Sequence, residues 1–164
     1  MVEFIELLKQ SEMGEALITF VVSMLPIIEL RGAIPLGVGL GLHPLYAMIV
    51  SMVGNMVPVP FIIFFIRKIF AWLRKKSKWL EGVVLKIEAR AEGKWAEIHK
   101  YELLGLFIFV AIPLPGTGAW TGALIAALMN MRIRNAMLCI FGGVIVAGLV
   151  ITVLTYGVVS LFGV

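Results

Sequence analysis

The sequence predicts an all-α integral membrane protein, built as an inverted repeat of a re-entrant helical hairpin plus a transmembrane helix, with amphipathic interfacial helices. Three observations carry this prediction. The 164 residues are 61% hydrophobic, with a mean hydropathy of +1.04. Soluble domains are about 45–50% apolar, and a water-soluble core cannot use the excess. Two of the four long apolar stretches are interrupted midway by glycines and prolines, one of them also by charges. Ten of the fourteen Lys and Arg residues lie between Arg67 and Lys100, which marks that segment as a cytoplasmic loop by the positive-inside rule.

The elements follow in order. Residues 1–13 are expected to form an interfacial helix, because Phe4, Ile5, Leu7 and Leu8 stand among Glu3, Glu6 and Lys9. The segment lacks the positive n-region of a cleavable signal. Residues 14–42 are expected to form the first re-entrant hairpin, broken within "IIELRGAIPLG" at Glu29–Pro35. Limbs of about 10–14 residues at 1.5 Å per residue reach roughly 15–20 Å, near the midplane of a core of about 30 Å. Residues 43–66 suit one transmembrane helix, since Pro44 to Ile66 is apolar throughout. Residues 67–102 read as a basic, amphipathic inner-surface segment. Leu80, Val83, Val84, Ile87, Ala91, Trp95 and Ile98 recur at helical spacing, and Trp72, Trp79 and Trp95 supply anchors. Its cluster "RKKSK", Arg74–Lys78, is either a topology anchor or an attraction for anionic headgroups. Residues 103–130 are expected to form the second hairpin, broken at "IPLPGTGAW", Ile112–Trp120, and residues 135–163 the second transmembrane helix.

Two topologies fit these stretches. If all four span, Arg132 and Arg134 in "NMRIRN" fall outside and the acidic N-terminus inside. If the first and third stretches dip in and return, both arginines stay with the basic loop and both termini lie outside. The second arrangement satisfies the charge rule at every segment. It also opposes the two hairpins, as in the inverted repeats of secondary transporters. "RGAIPLG" can be laid on "TGAWTG", a faint internal echo.

Backbone at a hairpin tip is tolerated at membrane depth only where it packs in protein or lines a wet cavity. The outgoing limb turns its N-terminal N–H groups toward the midplane, where they attract anions. "GAIP", Gly32–Pro35, and "GTGA", Gly116–Ala119, suit such openings, with Pro35 in a first helical turn and Thr117 as a cap. Pro113 and Pro115 would end the incoming limb. The candidate substrate-facing residues are therefore Glu29, Arg31, Gly32, Pro35 and Asn55, with Pro113, Pro115, Gly116, Thr117, Gly118 and Trp120 at the second tip. Glu29 and Arg31 do not share a helix face at i, i+2, but they can converge in a non-helical tip. Arg31 would hold a phosphate or carboxylate with its planar fork, and Glu29 would carry a proton. The bland alternative is an ion pair that clips the tip together. Asn55, in "GNMVPVP", either meets substrate or satisfies carbonyls freed by Pro58 and Pro60. His43 and Tyr46 read as interface anchors.

"ELRGAIPLG", "GNMVPVP" and "PLPGTGAWTG" together resemble the small multidrug export protein family, short prokaryotic membrane proteins, over nearly the whole chain. More distantly the plan is similar to the DedA (VTT, SNARE-associated Golgi) superfamily of lipid scramblases and flippases. Its members have two opposed re-entrant hairpins, and several are implicated in moving lipids, including polyprenyl phosphate carriers. The resemblance implies a multi-pass protein of the prokaryotic plasma membrane with Glu29 and Arg31 at the first charged tip. The chain departs from that pattern at the second tip, which has no arginine among its prolines.

Three functions are compatible with these residues. The first is a transporter of a lipid-linked anion such as polyprenyl phosphate, bound between the two hairpins, with Glu29 available to couple it to protons. The second is proton-coupled efflux of small lipophilic cations, for which Glu29 is the only acid in the apolar stretches. The third is a non-transport membrane adaptor. No nucleophile with a base, metal set or phosphate loop appears, so an enzyme, a cofactor and a metal are not expected. The lone Cys139 excludes an internal disulfide. The expected partners are membrane lipids, with a lipid phosphate foremost, and no nucleic acid. A homodimer is plausible, because Gly142, Gly143, Ala147 and Gly148 permit close helix contact, between copies or within one chain.

Overall fold

The computed structural model describes residues 12–98, 102–114 and 116–162. The expected interfacial helix at 1–13 therefore lies almost wholly outside the described residues, and Pro115 lies outside them too. Every element among the described residues is a helix: α1 (Glu12–Ser23), α2 (Glu29–Leu40), α3 (Pro44–Met56), α4 (Pro58–Lys76), α5 (Lys78–Ile98), α6 (Glu102–Ala111), α7 (Ala119–Leu128) and α8 (Ile133–Phe162). Among the described residues, two stretches are long and apolar enough to cross a membrane, Pro44–Lys76 and Ile133–Gly157. The chain divides into two compact units, 1–57 with 144–164, and 58–143.

In the first unit, α1, α2 and α3 pack pairwise against one another. Small residues let them approach closely. Gly37 of α2 sits where a Cβ would come within 2.9 Å of the Thr19 hydroxyl and 3.1 Å of Ala47 Cβ. Gly54 of α3 lies against Ser23 and the Phe20 carbonyl of α1. A methyl group at either position would collide with its neighbours, and lipid-embedded helices associate through such small-residue contacts. The α1–α2 connection is not where the charges are. The chain turns at Met24–Ile28, around Pro26, and α2 begins on Glu29 itself. Pro35 is consequently inside α2 rather than in its first turn, and it has no N–H to offer the Arg31 carbonyl. The helix ends on Gly41 at φ 115°, whose N–H bonds back to Gly37 and Val38, the left-handed stop that glycine allows. His43, expected as an anchor, caps α3: its Nδ1 accepts from the Leu45 N–H (3.4 Å), with Pro44 next.

The expected single helix over 43–66 is interrupted at Val57, and Pro58 and Pro60 open a new one. Proline is harmless there, because first-turn N–H groups have no intrahelical partner. That helix, α4, then runs through the expected boundary at 66/67 as far as Lys76. Its last turn carries Arg74, Lys75 and Lys76, which favours the negative end of the helix dipole. Phe61, Phe64, Phe65, Ile69 and Trp72 form an exposed apolar stripe along it.

In the second unit, α4 packs on α5 and α7, and α5 and α6 pack on α7 and on each other. Of the amphipathic face read from the sequence, Val84 and Ala91 are buried, whereas Val83 is 38% exposed. The side chains of Trp95 and Ile98 lie outside the description. Gly122 of α7 is pressed against Val110 of α6, where a Cβ would lie 2.7 Å from Val110 Cγ2. Gly142 and Gly143 meet Phe107 and Val110, and in the first unit Gly148 meets Met48 and Met52. Gly142, Gly143 and Gly148 of α8 thus make close contacts within the chain, whereas Gly157 has open space beside it.

Candidate functional site

Glu29 is the first residue of α2 and only 4% exposed. Its φ of 50° is left-handed, a conformation that costs a non-glycine residue about 1–3 kcal/mol and marks sites where surrounding structure imposes it. Arg31 is half-buried, and the Glu29 carboxylate is its electrostatic partner. The turn lies before Glu29, so both charges stand in the first turn of α2 rather than in a non-helical tip. Gly32 makes room for the Ile28 side chain, and Pro35 is exposed on the same helix.

Polar groups line the interior of this unit. Thr19 and Ser23 of α1, and Ser51 and Asn55 of α3, are all fully buried. The two α1 hydroxyls donate within their own helix, Thr19 to the Glu15 carbonyl and Ser23 to the Phe20 carbonyl, both at 2.7 Å. Ser51 and Asn55 behave differently. They are one turn apart, and neither the Ser51 hydroxyl nor either polar atom of the Asn55 amide has a hydrogen-bond partner. Asn55 therefore does not satisfy carbonyls freed by the prolines that follow it. An unsatisfied buried amide or hydroxyl costs about 1–3 kcal/mol. Ser51 carried no distinguishing signal in the sequence, since a serine in an apolar helix ordinarily bonds its own backbone.

The second-tip residues are in the other unit. Residues 112–118 join α6 to α7, with Gly116 at φ 80° and Gly118 at φ 126°. Thr117 does not cap α7. Its hydroxyl donates into the loop instead, 2.7 Å from the Ile112 carbonyl and 2.8 Å from that of Leu114, and Gly118 occupies the N-cap position. Pro113 is partly buried in the loop, and Trp120 is partly buried in the first turn of α7. The loop has a cation that sequence reading missed. Lys94 of α5 donates to the Gly116 carbonyl at 2.8 Å and stands 5.1 Å from the centre of the Phe109 ring. Its 22-residue separation from Gly116 hides the pairing from any local pattern. At the far end of α7, Asn130, at φ 56°, accepts a hydrogen bond from Arg67 of α4.

Among the described residues, no three His, Cys, Asp or Glu side chains are grouped to hold a metal. The chemistry on offer is a buried carboxylate with its arginine, unpartnered amide and hydroxyl groups in an apolar surround, and a backbone loop held by a lysine. Residues 29–150 match the model of a family described as "Putative small multi-drug export protein", which covers α2 through most of α8. No curated protein and no solved structure matches the chain.

Proposed function

We propose that this chain, which belongs to the small multi-drug export protein family, exports small lipophilic cations across the membrane in exchange for protons. The observation that carries the reading is the burial of Glu29. A carboxylate inside an apolar unit is costly enough to mark a functional position by default. At rest Arg31 is its partner. A proton added to the carboxylate weakens that attraction, and an incoming cation competes with Arg31 for the ionised form. Asn55 and Ser51 supply hydrogen-bonding groups that a substrate or its water can use.

The half-buried Arg31 favours a second reading, a lipid-linked anion such as polyprenyl phosphate, which would compete with Glu29 for the guanidinium. Both readings use two opposed re-entrant hairpins, α1–α2 and α6–α7, each followed by a spanning stretch. Helices of 12 and 10 residues support this, since they are about 18 and 15 Å long against a core of about 30 Å. The Arg67–Lys100 segment would lie in the cytoplasm, and a homodimer would enlarge the enclosed volume.

Proteoliposomes holding the purified protein test the choice. With an imposed pH gradient, a labelled lipophilic cation should accumulate, and Glu29→Gln should lower the rate at least tenfold. Accumulation unaffected by Glu29→Gln would overturn the cation reading. Transbilayer movement of labelled polyprenyl phosphate that fails in Arg31→Ala would establish the second.

A further inference from the structure

A cavity of about 340 Å³ opens in the second unit between α4, α5 and the end of α7. It takes Arg67, Phe70 and Arg74 from α4, Glu88 and Glu92 from α5, and Leu128 from α7. The helical register explains the arrangement: Arg67 and Arg74 are seven residues apart, and Glu88 and Glu92 four apart, so each pair shares a face. Two of the four charges are spent on each other, because Arg74 and Glu88 form an ion pair across the helices. The other two are not. Arg67 bonds to the neutral amide of Asn130. Glu92 has no hydrogen-bond or ion-pair partner among the described residues. A guanidinium and a carboxylate thus line one cavity without bridging it.

We infer that this cavity binds a zwitterionic phospholipid headgroup carrying a phosphate and a primary ammonium. The phosphate meets Arg67, whose fork suits phosphate oxygens. The ammonium meets Glu92, and the Arg74–Glu88 pair stands beside both. A purely anionic ligand leaves Glu92 repelled, and a purely cationic one leaves Arg67 repelled. A ligand bearing both charges satisfies the two at once. The surroundings suit a lipid rather than a soluble zwitterion. The floor is apolar at Phe70 and Leu128, and the exposed stripe of α4, ending at Ile69 and Trp72, offers a surface for acyl chains. Tryptophan favours the headgroup level of a membrane. This inference is independent of the substrate proposed for Glu29.

The test titrates the detergent-solubilised full chain with short-chain phosphatidylethanolamine, phosphatidylcholine, phosphatidylglycerol and free phosphoethanolamine, read by tryptophan fluorescence. Phosphatidylethanolamine should bind at least tenfold more tightly than the other three. Glu92→Gln should remove its advantage over phosphatidylglycerol. Arg67→Gln should weaken all the phospholipids about tenfold, and Arg67→Lys should restore part of the loss. Helical circular dichroism shows that each variant is folded. Tighter binding of phosphatidylglycerol, or unchanged binding by folded Arg67→Gln and Glu92→Gln, overturns the inference. Free phosphoethanolamine binding as tightly as the lipid overturns the lipid as occupant.

Discussion

At the scale of single residues, the informative contrast is between charged and neutral polar groups. Glu29 and Arg31 stand out in sequence because a charge at membrane depth is too costly to be incidental. Ser51 does not, because one hydroxyl in an apolar helix usually bonds a carbonyl of the preceding turn, as Thr19 and Ser23 do here. Only the structure separates the two cases. The orphaned amide of Asn55 leads to an expectation that sets function against stability. Removing a buried, unsatisfied polar group relieves a penalty of about 1–3 kcal/mol, and the lost packing volume offsets part of it. Asn55→Ala should therefore unfold within about 1 kcal/mol of the unaltered protein. If Asn55 faces substrate, export by the same variant should fall at least tenfold. Thermal unfolding in detergent beside transport in vesicles makes the comparison. A large loss of stability would mean that the amide has a structural partner after all.

At the scale of elements, the two breaks differ in how legible they are. The second break, read as Ile112–Trp120, coincides with the turn at 112–118, because paired prolines and two glycines leave no continuous helix to form. The first was placed on Glu29–Pro35, yet the turn is at Met24–Ile28 and a proline sits inside α2. Pro26 lies in that turn, where its missing N–H interrupts no helix. Packing of α2 against α1 and α3 holds Pro35 in a helix whose local chemistry opposes it, as tertiary contacts override propensity elsewhere. The connection at 112–118 has two closures, Thr117 within the loop and Lys94 from α5. Lys94→Met should release the Gly116 carbonyl while leaving helix α7 intact. A charged hydrogen bond contributes about 1.5–3 kcal/mol, reduced to about 1 kcal/mol by partial exposure, so amide exchange across residues 112–118 should quicken roughly fivefold. Unchanged exchange there would assign the closure to Thr117 alone.

At the scale of the whole molecule, the open question is whether α6 and α7 together cross the membrane or return to the side they left. The sequence offers a charge argument: Arg132 and Arg134 follow α7, and positive residues gather on the cytoplasmic side. The structure adds a covalently independent link. Arg67, the first residue of the basic run, donates a hydrogen bond to Asn130 just after α7, so the exit from the hairpin stands beside the segment that leads into it. At 10 residues each, α6 and α7 are about 15 Å long, short of a full crossing of about 30 Å. The charges and the Arg67–Asn130 bond favour a returning hairpin, whereas length alone does not decide, since α6 and α7 laid end to end would also reach about 30 Å. The expected outcome follows for single cysteines placed in a Cys139→Ser background. Asn130→Cys and Lys86→Cys should react with a membrane-impermeant thiol reagent from the same side of sealed vesicles, and both should be protected from the other. Labelling of the two positions from opposite sides would require α6 and α7 to cross, and the opposed-hairpin site would go with it.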